Sequence, residues 1–268
     1  MVLIETRRGE ASHAPLVFIH GFSGGASSWR AVMQELATSR PTVAVTLPGH
    51  HGKHSLDAPS TFEDAVVGVY DALARAGVSG AHVVGYSLGA RVALSMLVHE
   101  STMGRAANPS SASRLFSRAT LIGVSVGLKS RLARDERATA DAAWCALLRE
   151  QGMAAFVDAW EQQPLFATQE LHAPQGLRDA QRAVRLAHDA EALANAMQTF
   201  SLASMPDYCA QAGAIQVPVC LVTGVDDERF TRAAEEIAQL MQHATCRTLP
   251  NCGHNPLIEN PVALATLF

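Results

Sequence analysis

The segment 85–89, which reads Gly-Tyr-Ser-Leu-Gly, has the clearest chemical content in the chain. It follows an apolar run, Ala81 to Val84, and a helical pattern begins directly after it. Strand, sharp turn and helix in this order are typical of a nucleophile elbow, which raises a serine hydroxyl above the edge of a sheet. Glycine on both sides of the serine allows backbone approaches that a Cβ atom would block. The pattern predicts Ser87 as a reactive hydroxyl.

A reactive serine needs a general base, and the base needs a group that orients it. Asp226 and Asp227 follow the apolar run Val219 to Val222, and His254 follows the last strand-like segment. The carboxyl ends of parallel strands meet at one edge of a sheet, where ligands bind. The order serine, aspartate, histidine is also the one that enzymes with such an elbow use. We therefore predict Ser87, Asp227 and His254 as catalytic residues, with Asp226 as the alternative acid.

Backbone N–H groups near Ser87 are candidates for an oxyanion hole. Leu88 directly follows the serine, and its N–H lies at the start of the predicted helix. A second N–H should come from the loop after the apolar run Leu16 to His20, and we expect it from Phe22.

Arg91 lies four residues after Ser87 and therefore on the same side of the predicted helix. Its neighbours are apolar, and a buried arginine without an anion is costly. Two explanations stay open: an ion pair with a protein carboxylate, or a guanidinium presented to a substrate carboxylate.

The elements that position these residues alternate between strand and helix. Strands are expected at 2–6, 16–20, 42–47, 81–84, 118–124, 219–222 and 244–249, and helices at 29–38, 61–76, 91–99, 231–242 and from 261. Such alternation predicts an α/β fold with a mostly parallel, doubly wound sheet. From residue 129 to residue 203 the pattern is helical throughout, with breaks near Gly152, Pro164 and Pro174. We predict a core of residues 1–126 and 206–268, with a helical cap, 127–205, inserted between two strands.

Composition excludes several classes of partner. The chain has 268 residues, 48% of them hydrophobic, and a formal net charge of −4, so nothing indicates binding of nucleic acid or of an anionic membrane. No apolar run could span a bilayer, and charge follows the first residues too closely for a signal peptide, so we expect a cytoplasmic protein. The five cysteines are scattered, which favours reduced thiols. His50, His51 and His54 could suggest a metal, but no acidic residue is suitably spaced, and we expect neither metal nor cofactor.

Several motifs resemble a known family. Four segments match the general α/β-hydrolase pattern: 20–24 (His-Gly-Phe-Ser-Gly), 47–50 (Leu-Pro-Gly-His), 85–91 and 253–255 (Gly-His-Asn). The more specific motifs lie in the cap: Gly127-Leu128, Arg134, Arg137, Asp141, Trp144, the segment 156–166, Arg185 and Ser201-Leu202-Ala203. Together they resemble the 2-succinyl-6-hydroxy-2,4-cyclohexadiene-1-carboxylate synthases of menaquinone biosynthesis, and the resemblance covers essentially the whole chain. The sequence departs from the family pattern at His51, at Ala90 and in a longer serine-rich loop near Ser110.

The resemblance implies an α/β-hydrolase fold and a lyase that eliminates pyruvate from a cyclohexene bearing three carboxylates. It implies that Ser87, Asp227 and His254 form the triad, with the serine acting as a base, that Arg91, Arg134 and Arg185 bind the carboxylates, and that Ser23, Tyr86 and Trp160 line the pocket. Two alternatives remain. The first is a hydrolase on the same scaffold, either an esterase or a carbon–carbon bond hydrolase. The second is a ligand receptor without activity, against which the intact triad argues.

Overall fold

The computed structural model describes residues 2–7, 13–36, 40–50, 61–106 and 114–268. In this part of the chain a seven-stranded sheet has the order β1-β3-β2-β4-β5-β6-β7. The strands are β1 (Leu3–Arg7), β2 (Leu16–Ile19), β3 (Thr42–Thr46), β4 (Ala81–Tyr86), β5 (Phe116–Ile122), β6 (Val219–Gly224) and β7 (Ala244–Leu249). Only β1 runs antiparallel to its neighbour; the other pairs are parallel. Every residue of β2 and β4 is buried, as expected for strands covered on both faces.

Ten α-helices accompany the sheet in the described residues. They are α1 (Arg30–Glu35), α2 (Phe62–Arg75), α3 (Leu88–Ala106), α4 (Arg131–Glu161), α5 (Gln169–His172), α6 (Gln175–Leu186), α7 (Ala190–Thr199), α8 (Glu228–Leu240), α9 (Pro256–Glu259) and α10 (Pro261–Ala265). Short 3₁₀ turns occur at Ala26–Trp29, Pro164–Phe166 and Ala212–Ala214. None of the described helices is long and apolar enough to cross a membrane.

Helix α2 shows how local sequence sets these boundaries. The Thr61 side chain accepts a hydrogen bond from the Asp64 N–H at 3.0 Å and so caps the first turn, as predicted. One face of the helix is buried in the core against the sheet, including Phe62, Val69 and Leu73. Helix α8 starts three residues before the predicted position because the Asp227 side chain caps it, accepting from the Phe230 N–H at 3.3 Å.

Helices α4 to α7 lie between β5 and β6 in the chain and form the cap. The backbone of α4 is interrupted at Gly152 (φ 77°), close to the predicted break. Three aromatic or aliphatic side chains of its second half, Phe156, Val157 and Trp160, pack with Leu193 of α7 in a hydrophobic cluster separate from the sheet core. This part of the cap therefore has a hydrophobic cluster of its own, whereas Ala196 of α7 and the following Phe200 belong to the core that covers the sheet.

The two connections between cap and core run side by side. The Tyr208 N–H donates to the Val126 carbonyl at 2.8 Å, and a Cβ atom on Gly127 would lie 2.4 Å from the Pro206 carbonyl. We retain the boundaries 126/127 and 205/206 as our proposal for the cap. The predicted features at His51, His54 and Ser110 lie outside the described residues.

Candidate active site

Ser87 occupies a strained turn between β4 and α3. Its φ of 51° lies in the left-handed region that non-glycine residues rarely adopt. The flanking glycines are sterically required, because a Cβ on Gly85 would lie 2.3 Å from the Gly89 carbonyl, and a Cβ on Gly89 would lie 2.1 Å from the Ile19 carbonyl. The turn therefore has the close backbone approaches that the sequence pattern predicted, and it raises the serine above the sheet.

The structure brings Ser87, His254 and Asp227 together. The Nε2 atom of His254 lies 3.2 Å from Ser87 Oγ, and its Nδ1 lies 2.8 Å from Asp227 Oδ2. Both His254 and Asp227 are buried. A carboxylate can only accept, so Nδ1 carries the hydrogen and Nε2 can accept the proton of the serine hydroxyl. This is the arrangement that activates a serine.

Asp226, the alternative acid, points elsewhere. Its Oδ2 lies 2.7 Å from Nε2 of His172 on cap helix α5, and its side chain is 42% exposed. Asp226 therefore ties the cap to the core, and Asp227 is the acid that contacts His254.

Two residues that the sequence did not single out support the histidine. The buried carboxylate of Glu259 accepts the N–H of Gly253 at 2.7 Å and that of Asn255 at 3.0 Å, which are the two amides on either side of His254. Gly123, with φ of 60°, leaves room for the imidazole, since a Cβ there would lie 2.7 Å from Cε1 of His254. The spacing of residues in the sequence predicts neither role, because both depend on contacts between loops that are distant in the chain.

A cavity of about 1170 Å³ lies between the sheet edge and the cap. Its lining includes most of the predicted site residues: Phe22, Ser23, Tyr86, Ser87, Leu88, Arg91, Trp160, Arg185, Asp227 and His254. Leu88 opens α3, so its N–H is one of the first four that have no partner within the helix. Concave spaces in which polar groups converge beside apolar side chains are typical of small-molecule sites.

The arginine prediction differs from the structure at one position. Arg134 is absent from the cavity lining, and its Nη1 donates to the carbonyls of Ala203 and Met205 at 3.2 and 2.9 Å. Arg137, one helical turn further along α4, lines the cavity instead. Its Nε lies 2.8 Å from Oδ1 of the buried Asp141, which fixes the guanidinium. Both arginines belong to the cap motif, but only the rotation of α4 shows which one faces inward.

Arg91 meets the cavity without a carboxylate partner. Its Nη1 donates to the Phe200 carbonyl at 2.8 Å, and no described carboxylate lies within ion-pair distance. Burial, together with the nearby Arg137 cation, lowers the pKa of Arg91, and the Asp141 charge opposes this shift only in part. Of the two explanations for Arg91, the geometry favours a guanidinium that awaits an anion.

Arg185 is buried and already paired. Its Nη1 lies 2.9 Å from Oε1 of Glu161, and its guanidinium lies 5.3 Å from the ring centre of Phe166. Glu161 also accepts from Arg182 at 2.6 Å, so one carboxylate is shared by two cations. Burial lowers the pKa of Arg185, while the Glu161 charge opposes the shift. Arg182 also pairs with Asp158, so the two arginines and the two carboxylates form a network that holds the Arg185 guanidinium at the cavity wall.

Unpaired polar atoms remain at the cavity wall. Ser23 Oγ and Trp160 Nε1 are buried and have no protein partner among the described residues. A buried donor without a partner is costly, so such atoms at a cavity wall indicate contact with a ligand or with water. The tyrosine next to the serine, Tyr86, lies with its ring centre 5.6 Å from that of His254, and burial raises its pKa.

In the described residues no three His, Cys, Asp or Glu side chains converge as metal ligands, and His50 packs among aromatic rings.

Comparison with known proteins identifies the family of the chain. The model of the α/β hydrolase family matches residues 16–267. The 2-succinyl-6-hydroxy-2,4-cyclohexadiene-1-carboxylate synthase of Enterobacter sp. (strain 638) is 33% identical over 97% of this chain and 92% of its own length. The enzyme of the same name from Salmonella agona (strain SL483) is 32% identical over 96% of this chain and 92% of its own.

Solved structures show the same fold. MenH from S. aureus superposes with a TM-score of 0.87 at 24% identity, covering 98% of this chain and 95% of that one. A thermophilic esterase from Thermogutta terrifontis superposes with a TM-score of 0.78 at 18% identity, covering 99% and 90%. On the sequence relatives and the family match, the chain is an enzyme of the α/β hydrolase family and belongs, within it, to the 2-succinyl-6-hydroxy-2,4-cyclohexadiene-1-carboxylate synthases.

Proposed function

We propose that the protein eliminates pyruvate from 2-succinyl-5-enolpyruvyl-6-hydroxy-3-cyclohexene-1-carboxylate to give 2-succinyl-6-hydroxy-2,4-cyclohexadiene-1-carboxylate, a step of menaquinone biosynthesis. The observation that carries the proposal is a single cavity that holds both the Ser87–His254 contact and five arginines of the described residues, of which Arg91, Arg137 and Arg185 are held by protein hydrogen bonds or ion pairs. The names of the sequence relatives support it. The substrate carries a succinyl, a ring and an enolpyruvyl carboxylate, and together these match an arginine-rich cavity.

Proton abstraction starts the reaction. Nε2 of His254 accepts the proton of Ser87 Oγ, and the oxygen then takes a proton from the substrate ring next to the succinyl carbonyl. The Asp227 carboxylate, 2.8 Å from Nδ1, stabilises the imidazolium that forms. The electron pair of the broken C–H bond moves onto the carbonyl oxygen as an enolate. When the enolate collapses, a double bond forms at the deprotonated ring carbon, the existing ring double bond shifts one position toward the carbon that bears the enolpyruvyl ether, and the C–O bond there breaks. The released pyruvate enolate takes the proton held by the His254 imidazolium, and the proton taken from the ring stays on Ser87 Oγ, so the triad is restored.

The enolate needs a site for its negative oxygen. In this proposal the N–H groups of Phe22 and Leu88 donate to it, as they would donate to a tetrahedral intermediate in a hydrolase. Leu88 contributes from the first turn of α3, where the helix dipole also favours negative charge.

The arginines orient the substrate so that a ring C–H bond, and no carbonyl carbon, lies over Ser87. Arg91 has no carboxylate within ion-pair distance in the part of the chain that the structure describes, so a substrate carboxylate would neutralise its buried charge. Arg137 is fixed by Asp141, and Arg185 is fixed by Glu161, so both guanidinium groups are preorganised. Ser23, Tyr86 and Trp160 complete the polar wall in this proposal.

Incubation with the authentic precursor, with pyruvate release followed in a coupled assay, tests the proposal. We expect turnover by the wild-type enzyme and a loss of about 10³-fold or more in Ser87→Ala, since removal of a triad member typically costs this much. Absence of pyruvate release from the wild-type protein, with the fold intact, would refute the lyase assignment.

The hydrolase alternative remains testable because the same triad geometry serves acyl transfer. A hydrolase would turn over p-nitrophenyl esters rapidly and form an acyl-enzyme on Ser87. We expect slow ester turnover at most, because the arginine-rich cavity favours polyanions over neutral esters.

A further inference from the structure

The loop that contains Phe22 is held by the cap as well as by the sheet. This oxyanion loop, residues 21–24, follows β2 and is closed by a hydrogen bond from the Gly24 N–H to the Gly21 carbonyl at 3.1 Å. The Ser23 carbonyl lies 3.0 Å from Nε2 of His188, which belongs to the turn between α6 and α7 of the cap. A carbonyl oxygen can only accept, so His188 Nε2 carries the hydrogen and donates it.

The conformation of this loop needs outside support. Ser23 has φ of 57°, and among the described residues only two other non-glycine residues, one of them Ser87, have positive φ. Such a conformation is strained and persists only where the surroundings enforce it. Ser23 is buried, and the distance of 3.0 Å between His188 Nε2 and its carbonyl oxygen is that of a well-formed hydrogen bond.

Two contacts from the cap enforce the conformation. His188 fixes the Ser23 carbonyl, and Trp160 packs on the side chain of Phe22, with ring centres 5.3 Å apart. The His188 ring is itself buried and lies edge-on to His50, with ring centres 5.7 Å apart, so its Nε2 is held in place. The cap therefore contacts both Phe22 and Ser23 and restrains the loop on either side of the peptide bond that joins them.

We infer that His188 is a positioning residue through which the cap sets the oxyanion hole: its hydrogen bond to the Ser23 carbonyl holds the loop in the strained form that aims the Phe22 N–H at the developing anion. The inference rests on the proposed role of Phe22. It assigns the cap a second task besides carboxylate binding, since the body that carries Arg137 and Arg185 also fixes the anion site.

Two substitutions of His188 test the inference in the whole chain, because one keeps the ring and the other keeps the hydrogen-bond donor. His188→Phe keeps a ring against His50 and removes the donor, whereas His188→Gln places an amide N–H at a similar reach. We expect His188→Phe to lower kcat about tenfold with KM within about twofold of wild type, the size of effect that follows from loss of one hydrogen bond. His188→Gln should recover most of the rate.

A second readout does not depend on the substrate. The rate at which a fluorophosphonate modifies Ser87 requires the triad and the oxyanion hole, and it should fall in parallel in His188→Phe. If the wild-type protein released no pyruvate and this labelling still fell, the lyase proposal would fail while the inference on His188 stood.

His172 supplies the matched control, because it is also a cap histidine that bonds the core, through Asp226, without contact to the oxyanion loop. His172→Phe should leave kcat and labelling unchanged. Wild-type rates in His188→Phe would overturn the inference, and so would equal losses in His188→Gln or in His172→Phe. Should His188→Phe fail to fold, as judged by its melting curve, His188→Asn, whose amide is too short to reach the carbonyl, takes its place with the same expected losses.

Discussion

Arg134 and Arg137 lie one helical turn apart on α4, and we expect substitutions at the two positions to have different effects on KM. We predict that Arg137→Met raises KM for the cyclohexene substrate strongly with a smaller change in kcat. We predict that Arg134→Met leaves KM within about threefold of wild type. The reason is their placement: Arg137 lines the cavity, whereas Arg134 donates to two backbone carbonyls where the cap returns to the core.

The magnitudes follow from the contacts. A hydrogen bond to a charged group contributes roughly 1.5–3 kcal/mol, so loss of the Arg137 contact to a substrate carboxylate lowers kcat/KM roughly 10- to 150-fold. Arg134→Met removes the hydrogen bonds to the Ala203 and Met205 carbonyls; because the guanidinium is only partly buried, each contributes about 0.5–1.5 kcal/mol, and about 1–3 kcal/mol of stability is lost. For a domain of this size the melting temperature then falls by about 2–4 °C per kcal/mol.

Both variants lose stability, because Arg137→Met also removes the paired cation of the buried Asp141, whose other hydrogen bond in the described residues comes from the Ser201 hydroxyl, 2.6 Å from Oδ2. Melting curves alone therefore do not separate them, and steady-state kinetics of pyruvate release do. Equal increases in KM for the two variants would refute the placement of Arg134 outside the site. An unchanged KM in Arg137→Met would refute the carboxylate role of Arg137.

Three further predictions concern the groups around the histidine and the pH dependence of stability. Glu259→Gln should lower kcat about tenfold at constant KM, because an amide cannot accept at both atoms from the two N–H groups that flank His254; wild-type kcat would contradict this. Asp227→Ala should lower kcat by about 10⁴-fold and Asp226→Ala by less than about threefold in the same assay, and similar losses in both would contradict the assignment of the acid. Burial, with two nearby arginines, lowers the pKa of His82 to about 3 from the ordinary value of 6.5, so its stabilising contribution is complete above pH 6.5 and is lost as pH falls from there toward 3. His82→Gln should therefore flatten the fall of the unfolding free energy between pH 6.5 and 4 by up to about 1.4 kcal/mol per pH unit, measured by denaturant unfolding at several pH values, and an unchanged slope would contradict it.

The elements and the local motif of the site could be predicted because each depends on neighbouring residues. Gly85, Ser87 and Gly89 lie in one turn, and the alternation of apolar runs with helical patterns identified the sheet class. Asp227 was preferred to Asp226 from spacing, and the structure places the preferred residue against His254. Carboxyl ends of parallel strands meet by topology, so distant segments could be joined without knowledge of side-chain packing.

What could not be predicted depends on rotation and on contacts between loops. Whether Arg134 or Arg137 faces the cavity is decided by how α4 packs on the sheet, and the sequence around both residues is similarly polar. Glu259 looks like a surface residue in the sequence, yet it is buried because α9 turns its carboxylate back to the amides around His254. His188 is a histidine in a short helix connection, and only the folded cap places it on the Ser23 carbonyl.

The same scaffold serves hydrolysis and elimination, and the placement of the substrate decides between them. A serine activated by His254 can attack a carbonyl carbon or remove a proton, and the oxyanion hole stabilises either resulting anion. A displacement of about 1 Å at the reacting centre can cost about 10² in rate, so in this proposal the cations that hold the substrate carboxylates select one reaction over the other. Arg137 and Arg185 gain their fixed positions from Asp141 and Glu161, and these pairs lie in the cap. In this proposal the core therefore supplies the reactive hydroxyl, and the cap, by fixing both the substrate carboxylates and the oxyanion loop, determines what that hydroxyl does.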